Sequence, residues 1–542
     1  MTGEEVQKKI ILNCEKLETR LALLKNDRLE EYRIERADDE PKVGSIYFGR
    51  IMNLDTSLQA AFVNIGAERN AFLHFHDMIP ESRRADDDED DGATITVERE
   101  RSGESRSGRS GGRSGELTER EVKRRRRKFT AAEIPEYFKP GQEILVQVVK
   151  GQISSKGARV TANVSIAGRY LVLMPYSDHI GLSTKIENGA ERSRLKKILS
   201  ELDLPEGLGL ICRTVGEGQK SLFFKRDLSL LLDAWNKLER AIDNGRAPMA
   251  VYTEPDLIDR TVRDFMTEEI GEISVDDRDA YRRIADTVKA FGGRKLASRV
   301  HLYEKAAPIF DEYKIKEQLK AVYQRQVRLP GGGWICIDET EALIAIDVNS
   351  GRGRKADDQP EFILKTNLEA VAEVARQLRL RNVGGLVVID LIDMHSARDR
   401  DEVCRQLRKL VKDDRAKTKL LPISKFGLLE MTRQREEESI LDKVYDPCPY
   451  CNGTGLVKSP MTMSVEIQRA LNTFFRDKRH KHDPVRVIIH PDVLARLRDE
   501  DSELLIELEN KYGSSLSFRA DASLHCETFR MVDPVTGNEF KQ

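Results

Sequence analysis

The sequence predicts an α/β protein of several subdomains, and three observations carry that expectation. At 542 residues the chain exceeds what one hydrophobic core supports. Strand-like alternation dominates its first third. Further on, two apolar runs, Ala342 to Val348 and Leu386 to Ile389, flank a helical pattern, the mark of a βαβ unit with parallel strands.

Taken in order, the first 36 residues alternate short apolar runs (Ile10 to Leu12, Leu21 to Leu24) with polar ones, which predicts two strands. From Val43 to His76 strands are expected again, punctuated by Gly44, Gly49 and Gly66. In Ala61 to Ile65, period two puts Ala61, Val63 and Ile65 on one face and Phe62 on the other, beside Asn64. The same count sets Phe72 on the face of His74 and His76. A lone phenylalanine most often fills the core of a small barrel. Two of them on polar faces favour a base-stacking platform.

Residues 81 to 128 differ in kind. Asp86 to Asp91 is almost wholly acidic, Ser102 to Gly115 is rich in Ser, Gly and Arg, and Lys123 to Lys128 is six consecutive cations. Too few apolar residues are present to offset the entropy of ordering, so a disordered insertion is expected. Strand patterning resumes at Gln142 to Lys150 and Arg169 to Met174, which places the insertion within a loop. Helices are expected over Asp227 to Arg246 and Asp276 to Phe291.

Pro330 to Gly333 reads as the turn of a hairpin between Val327–Leu329 and Trp334–Ile337. Ala342 to Val348 is a continuous apolar run, as in a strand buried on both faces. Asn367 is expected to cap a helix in which Leu368, Val371, Ala375 and Leu378 keep helical spacing. Gly384 and Gly385 should stop it, and Leu386 to Ile389 should be a second buried strand. Beyond Thr462 a helix (Ser464 to Arg476) and a strand (Val485 to His490) indicate a small terminal domain.

Composition excludes several classes. The 90 Lys and Arg nearly cancel the 92 Asp and Glu, so a uniformly basic, histone-like protein is ruled out, whereas one locally charged cleft is not. No run of about 18 apolar residues exists, so no membrane span is expected. The start MTGEEVQKKIILNCEK has no signal-peptide pattern. The seven cysteines are scattered except for Cys448 and Cys451, which suggests no disulfide framework. A reduced, cytoplasmic setting follows as the expectation.

Asp347 and Asp390 fall at the carboxyl ends of the two parallel strands, where α/β sheets bind ligands. A single such aspartate most often caps the next turn. Two on adjacent strands repel unless a cation lies between them, and Mg²⁺ suits one or two carboxylates completed by water and phosphate oxygens. Asn349 is placed to orient that water or a phosphate oxygen. The loop Ser350 to Lys355 adds Arg352, Arg354 and Lys355 for a polyanion. Asp393, three residues past Asp390, is given a supporting role.

Cys448-Pro-Tyr-Cys451, followed by Gly453 and Gly455, resembles a zinc-knuckle turn, yet structural zinc takes four ligands and the pair supplies two. The same pair from a second subunit is the simplest completion, and His480 and His482 are the nearest candidates within the chain. A redox pair is a rival, weakened by the lack of a strand–CxxC–helix pattern, and two metal-free structural cysteines are a third reading.

Six ordered blocks now carry a resemblance to a known family. EALIAIDVNSG, NLEAVAEVARQLRLRNVGGLVVIDLIDM, KFGLLEMTRQR and CPYCNGTG resemble the catalytic core of the ribonuclease E/G family. VGSIYFGRI with AAFVNIGAERNAFL resembles its S1-type OB domain, and SSKGARVTANVSIAGRYLVLMP with LPEGLGLICRT its RNA 5′-end sensor. The likeness spans nearly everything except the insertion.

The resemblance implies RNase H-like and DNase I-like α/β subdomains, an inserted S1-type OB barrel, a zinc link and a small C-terminal α/β domain. Its divisions fall at 1–36 and 259–322 (RNase H-like, in two parts), 37–162 (OB, with the insertion), 163–258 (5′ sensor), 323–444 (DNase I-like), 445–458 (zinc link) and 459–542. Asp347 and Asp390 match the family's Mg²⁺-binding aspartates and Asn349 its third catalytic residue. Phe62, Phe72 and Lys156 match RNA contacts of the OB domain, and Lys150 lies at another. Gly168, Val172, Arg213 and Thr214 match the 5′-monophosphate pocket. A pocket position that is usually arginine is Lys417 here, which keeps the charge and loses bidentate geometry. The family also implies Zn²⁺ shared between subunits through Cys448 and Cys451, hence a homodimer or homotetramer.

The expected function is therefore cleavage of single-stranded RNA to 5′-phosphate and 3′-hydroxyl ends, in processing of rRNA and tRNA precursors and decay of mRNA. The family's larger branch adds a long C-terminal scaffold, so a chain ending at Gln542 is expected to be nearer ribonuclease G. A non-catalytic RNA-binding or ribosome-associated protein on the same fold is the alternative, which has no need of a carboxylate pair. A DNA endonuclease is disfavoured by the resemblance to the OB and sensor domains.

Overall fold

The structure is a computed structural model that describes residues 7–37, 41–79, 133–152, 157–177, 179–267, 269–351, 359–412, 414–435, 438–477 and 483–540. The expected insertion at 81–128 lies outside the described residues, as do Lys156, Arg352, Arg354, Lys355, His480 and His482. The chain forms two units, Met1–Lys443 and Val444–Gln542. No described helix is long and apolar enough to cross a membrane.

Three strands, not two, open the first unit: Lys8–Cys14, Glu18–Lys25 and Arg28–Arg36. The missed boundary is a two-residue turn at Asn26 and Asp27, both with positive φ (51° and 60°), which suits a tight hairpin. Lys8–Cys14 then pairs in parallel with Ile270–Val275, which pairs in turn with Val300–Leu302, so one sheet is assembled from segments more than 200 residues apart.

Between those segments lies a closed five-stranded barrel, in the order Ile46–Asp55, Ala60–Asn64, Ala71–His74, Arg159–Thr161 and Glu143–Lys150, with the last strand pairing back to the first. Its interior is lined by small and branched side chains such as Ala61, Val63, Leu73, Val146 and Val160. A four-stranded sheet follows (Ile166–Ala167, Leu171–Pro175, Ile180–Leu182, Leu208–Cys212). The helix Ser221–Asn244 closes its core through Leu228, Leu231, Trp235 and Leu238.

The rest of the unit is a six-stranded sheet: β1 (Gln326–Arg328), β2 (Trp334–Glu339), β3 (Leu343–Asn349), β4 (Gly385–Asp390), β5 (Thr418–Leu420) and β6 (Leu428–Arg433). Their order is β1-β2-β3-β4-β6-β5, and β3 and β4 are parallel. The βαβ unit expected from the sequence is thus present, with α1 (Gln359–Leu380) as the crossover and α2 (Ala397–Lys412) following β4.

Both helices share one core with Ile344, Ile346, Val348, Val387 and Ile389. The expectation that β3 and β4 are buried on both faces is therefore corrected. Ile344, Ile346 and Val348 point to that core, but Asp347 and Asp390 are exposed and Leu386 is 42% exposed on the alternate face. A continuous apolar run reads as doubly buried only if helices cover both sides, and here they cover one.

Contrary to expectation, Asn367 does not cap α1: the helix starts at Gln359, and Asn367 sits fully buried in its middle. The helix ends at Leu380, ahead of Gly384, where Asn382 takes positive φ (51°) and the Val383 amide reaches back to the Leu378 carbonyl.

The second unit packs the helices Pro460–Arg476, Pro491–Asp499 and Ser502–Tyr512 on a three-stranded sheet ordered Leu516–Ala520, Val485–Ile489, Phe529–Val532. Ile467, Leu471 and Phe475, at four-residue steps, form the apolar face of its first helix.

Candidate functional site

Asp347 and Asp390 are register partners across β3 and β4. Neighbouring strands lie about 4.8 Å apart, and partners point to the same face, so the two carboxylates stand side by side on the open face at one rim. Asn349, next on that face, donates from Nδ2 to Asp347 Oδ2 at 2.7 Å. Among the described residues neither aspartate forms a salt bridge. The pair is thus exposed, acidic and oriented from one side by an amide.

Backbone contacts hold both strand ends. Past Asn349, Gly351 takes φ 69°, and a Cβ there would lie 2.5 Å from the Gly332 carbonyl oxygen, so only glycine lets the two turns touch. Past Asp390, the buried Asn367 side chain donates to the Ile392 carbonyl (2.8 Å) and accepts from the Ile392 amide (3.1 Å). Local pattern suggests a cap at Asn367, and nothing local in the sequence shows that it clamps the chain after Asp390. Asp393 is exposed beyond that clamp.

On the barrel, Phe62 and Phe72 are themselves register partners, half-buried on the outer face, with ring centroids 6.0 Å apart and planes at 79°. Lys150 pairs in register with Arg159 on the neighbouring strands. Burial, then Arg159 and Arg435, push the Lys150 ammonium below its usual pKa. Arg435 follows β6, so cations of the barrel and of the six-stranded sheet are electrostatic neighbours.

Among the residues matched to the 5′ pocket, Arg213 and Gly168 are in direct contact. Arg213 donates to the Gly168 carbonyl and to Asp264 Oδ1, both at 2.7 Å. Gly168 has no room for a side chain, since a Cβ would lie 2.6 Å from Asp227 Oδ2. Asp227, buried, accepts from the amides of Arg169, Tyr170 and Leu171 and so braces this turn. Burial nevertheless pushes its carboxyl pKa up. Val172 lies on the adjoining strand, paired with Ile211, and Thr214 follows Arg213.

Lys417 is exposed, and the cation of its segment that reaches Arg213's partner is Arg415. Arg415 donates to the Asp264 carbonyl at 2.8 Å and lies over the Phe265 ring at 3.8 Å. Burial opposes ionisation of Asp264, but hydrogen bonds from Arg263 and Arg213 outweigh it and hold the pKa down to about 2. Asp264 and Arg415 escaped the sequence reading because their partners lie about 50 and 150 residues away.

In the second unit all cysteines are free, and Cys448 and Cys451 sit in a turn before its first helix, with no described strand of the unit ahead of them. The amides of Cys451 and Tyr450 and the Cys451 thiol bond to the Cys448 sulfur and lower its pKa. The Gly455 amide donates to Cys451 Sγ at 3.2 Å. Amides converging on sulfur suit thiolates, and so suit zinc. The His525 ring lies tilted against Tyr450 (centroids 4.2 Å apart, planes at 38°), and the Cys526 amide donates to the Tyr450 hydroxyl at 3.4 Å, a juxtaposition the sequence did not suggest. No group of three or more potential metal ligands is assembled among the described residues.

With this geometry in place, residues 165–436 match the family described as the Ribonuclease E/G family, and residues 447–534 the RNase E/G, Thioredoxin-like domain. The chain is 33% identical to ribonuclease G of Salmonella typhimurium over 96% of its own length and 99% of that protein's. It is 38% identical to ribonuclease E of Escherichia coli K12 over 86% of its own length and 40% of that protein's. To ribonuclease E of Haemophilus influenzae it is 36% identical, over 98% and 53%. The chain spans about half the length of the ribonucleases E it matches.

Proposed function

Because the chain belongs to the ribonuclease E/G family, we propose that it is a magnesium-dependent endoribonuclease that cuts single-stranded RNA and leaves 5′-phosphate and 3′-hydroxyl ends. The observation that carries this reading is the register pairing of Asp347 with Asp390, both exposed at one rim. A pair of carboxylates fits an ion that keeps most of its shell for water and phosphate oxygens. The chemistry a divalent ion supplies at such a pair is polarisation of the scissile phosphate and a lowered pKa for the attacking water. Asn349 holds the Asp347 carboxylate in orientation through its 2.7 Å hydrogen bond.

The closed barrel supports the assignment of residues 37–162 as an S1-type OB domain, in which Phe62 and Phe72 stack bases while Lys150 and Lys156 neutralise phosphates. The sheet of strands 8–36 and 270–302 is assigned as RNase H-like and the six-stranded sheet as DNase I-like. Gly168, Val172, Arg213, Thr214 and Lys417 receive an RNA 5′-monophosphate, and Cys448 and Cys451 share a structural zinc with a second subunit across a homodimer or homotetramer. The cellular role that follows is cytoplasmic processing of rRNA and tRNA precursors and decay of mRNA.

Purified protein incubated with a 5′-monophosphorylated single-stranded RNA tests the reading. Internal cleavage in Mg²⁺, abolished by EDTA, is expected, with 5′-phosphate on the downstream product. RNA that is bound but left intact in Mg²⁺ overturns the enzymatic reading in favour of a binding protein.

A further inference from the structure

The turn that leads into β6 carries an aromatic ring at the same rim as the two aspartates. The Gly427 amide bonds to the Ser424 carbonyl (3.2 Å) and the Ser424 amide to the Leu428 carbonyl (2.8 Å), which closes a tight turn over Ser424–Gly427. Gly427 takes φ 82°, a conformation that favours glycine. Lys425 and Phe426 are left at the tip.

Three observations set Phe426 apart. At 87% exposure it is the most exposed large apolar side chain among the described residues. Its turn adjoins the acidic pair: Leu428 is the register partner of Asp390, and a Cβ on Gly427 would lie 3.4 Å from Asp393 Oδ1. No described ring packs against it, and its chain neighbour is the exposed cation Lys425. Neither residue contributes to a core, so their placement is unexplained by folding.

A ring in water beside a pair of carboxylates that takes a phosphodiester is positioned for the nucleotides on either side of that phosphate. Bases present π-faces that stack on such a ring, and a phosphate is the counterion for an adjoining lysine. We propose that Phe426 stacks on an RNA base flanking the scissile phosphate and that Lys425 pairs with the adjoining backbone phosphate. This contact is distinct from the Phe62–Phe72 platform of the barrel, and it rests on the reading of the rim as a ribonuclease site.

The test measures kcat/KM with Mg²⁺ on a 5′-hydroxyl RNA oligonucleotide, so that the 5′ pocket plays no part, for wild type, Phe426→Ala and Phe426→Trp. Replacing the flanking nucleotides one at a time by abasic ones completes the series. Phe426→Ala is expected to lower kcat/KM about 5- to 150-fold, which is ~1–3 kcal/mol at 1.4 kcal/mol per tenfold, while Phe426→Trp keeps it near wild type. One abasic position should cost wild type a similar factor and cost Phe426→Ala almost nothing further. Wild-type rates in Phe426→Ala, or an abasic penalty unchanged by that substitution, overturn the proposal while leaving the ribonuclease reading intact. A wild-type protein that cuts no RNA defeats the ribonuclease reading itself. A smaller particle by light scattering for Phe426→Ala would assign the ring to a contact between copies of the chain and overturn the stacking role.

Discussion

Asp347 and Asp390 occupy the same level of two parallel strands, side by side on the face that the helices leave open. Neither contributes to the core, so each can be neutralised without unfolding the sheet. Asp347→Asn or Asp390→Asn is expected to slow RNA cleavage by about 10³-fold or more, while affinity measured in EDTA changes only a few-fold. Near-wild-type cleavage in both variants would remove the metal assignment.

Arg213 is held by Gly168 and Asp264, so its guanidinium is already oriented before any ligand arrives. RNA with a 5′-monophosphate should be cut faster than the same RNA with a 5′-hydroxyl, and Arg213→Ala should narrow that gap. Lys417→Arg should widen it by restoring a planar, bidentate donor. Equal rates on both substrates in wild type would show that the pocket does not sense the RNA end.

Acid sensitivity should be traceable to Asp264. Its folded pKa of about 2 lies below the 3.8 of an unperturbed aspartate, so the unfolded chain binds the proton more readily. The stabilisation, on the order of 2 kcal/mol, is full above pH ~4 and disappears as pH falls towards 2. Denaturant unfolding of wild type and Asp264→Asn between pH 7 and 2.5 checks this: the stability difference should shrink with acidity. A difference independent of pH would mean that Asp264 is not held ionised.

Counting ligands predicts assembly. Two thiolates per chain and four per zinc give about half a zinc per chain in an even-numbered oligomer. Cys448→Ser with Cys451→Ser should yield smaller particles by light scattering and metal-free protein, with the six-stranded sheet still folded. One zinc per chain in a monomer would contradict the shared site and point to Cys526 and His525, which flank Tyr450.

How far the site was legible follows from the range of the forces involved. Period-two alternation is a local property of the backbone, so it set Phe62 and Phe72 each on the more polar face of its own strand, whereas their pairing across strands belongs to the fold. The same reasoning failed for β3, because whether an apolar strand is covered on one face or two depends on helices elsewhere. Asn367 shows the limit most plainly: read locally it is a cap, but in the fold it is a buried amide bonded to Ile392.

By itself the sequence determined the βαβ unit, the strand-end aspartates, the paired cysteines and the family, because each is written in neighbouring residues or in motif order. Only the tertiary structure decided that Asp347 and Asp390 share a register, that Arg213 and Arg415 both meet Asp264, and that Phe426 stands exposed beside the acidic rim. Those relationships join residues tens to hundreds of positions apart. They are set by which faces pack together, and local pattern carries no record of that.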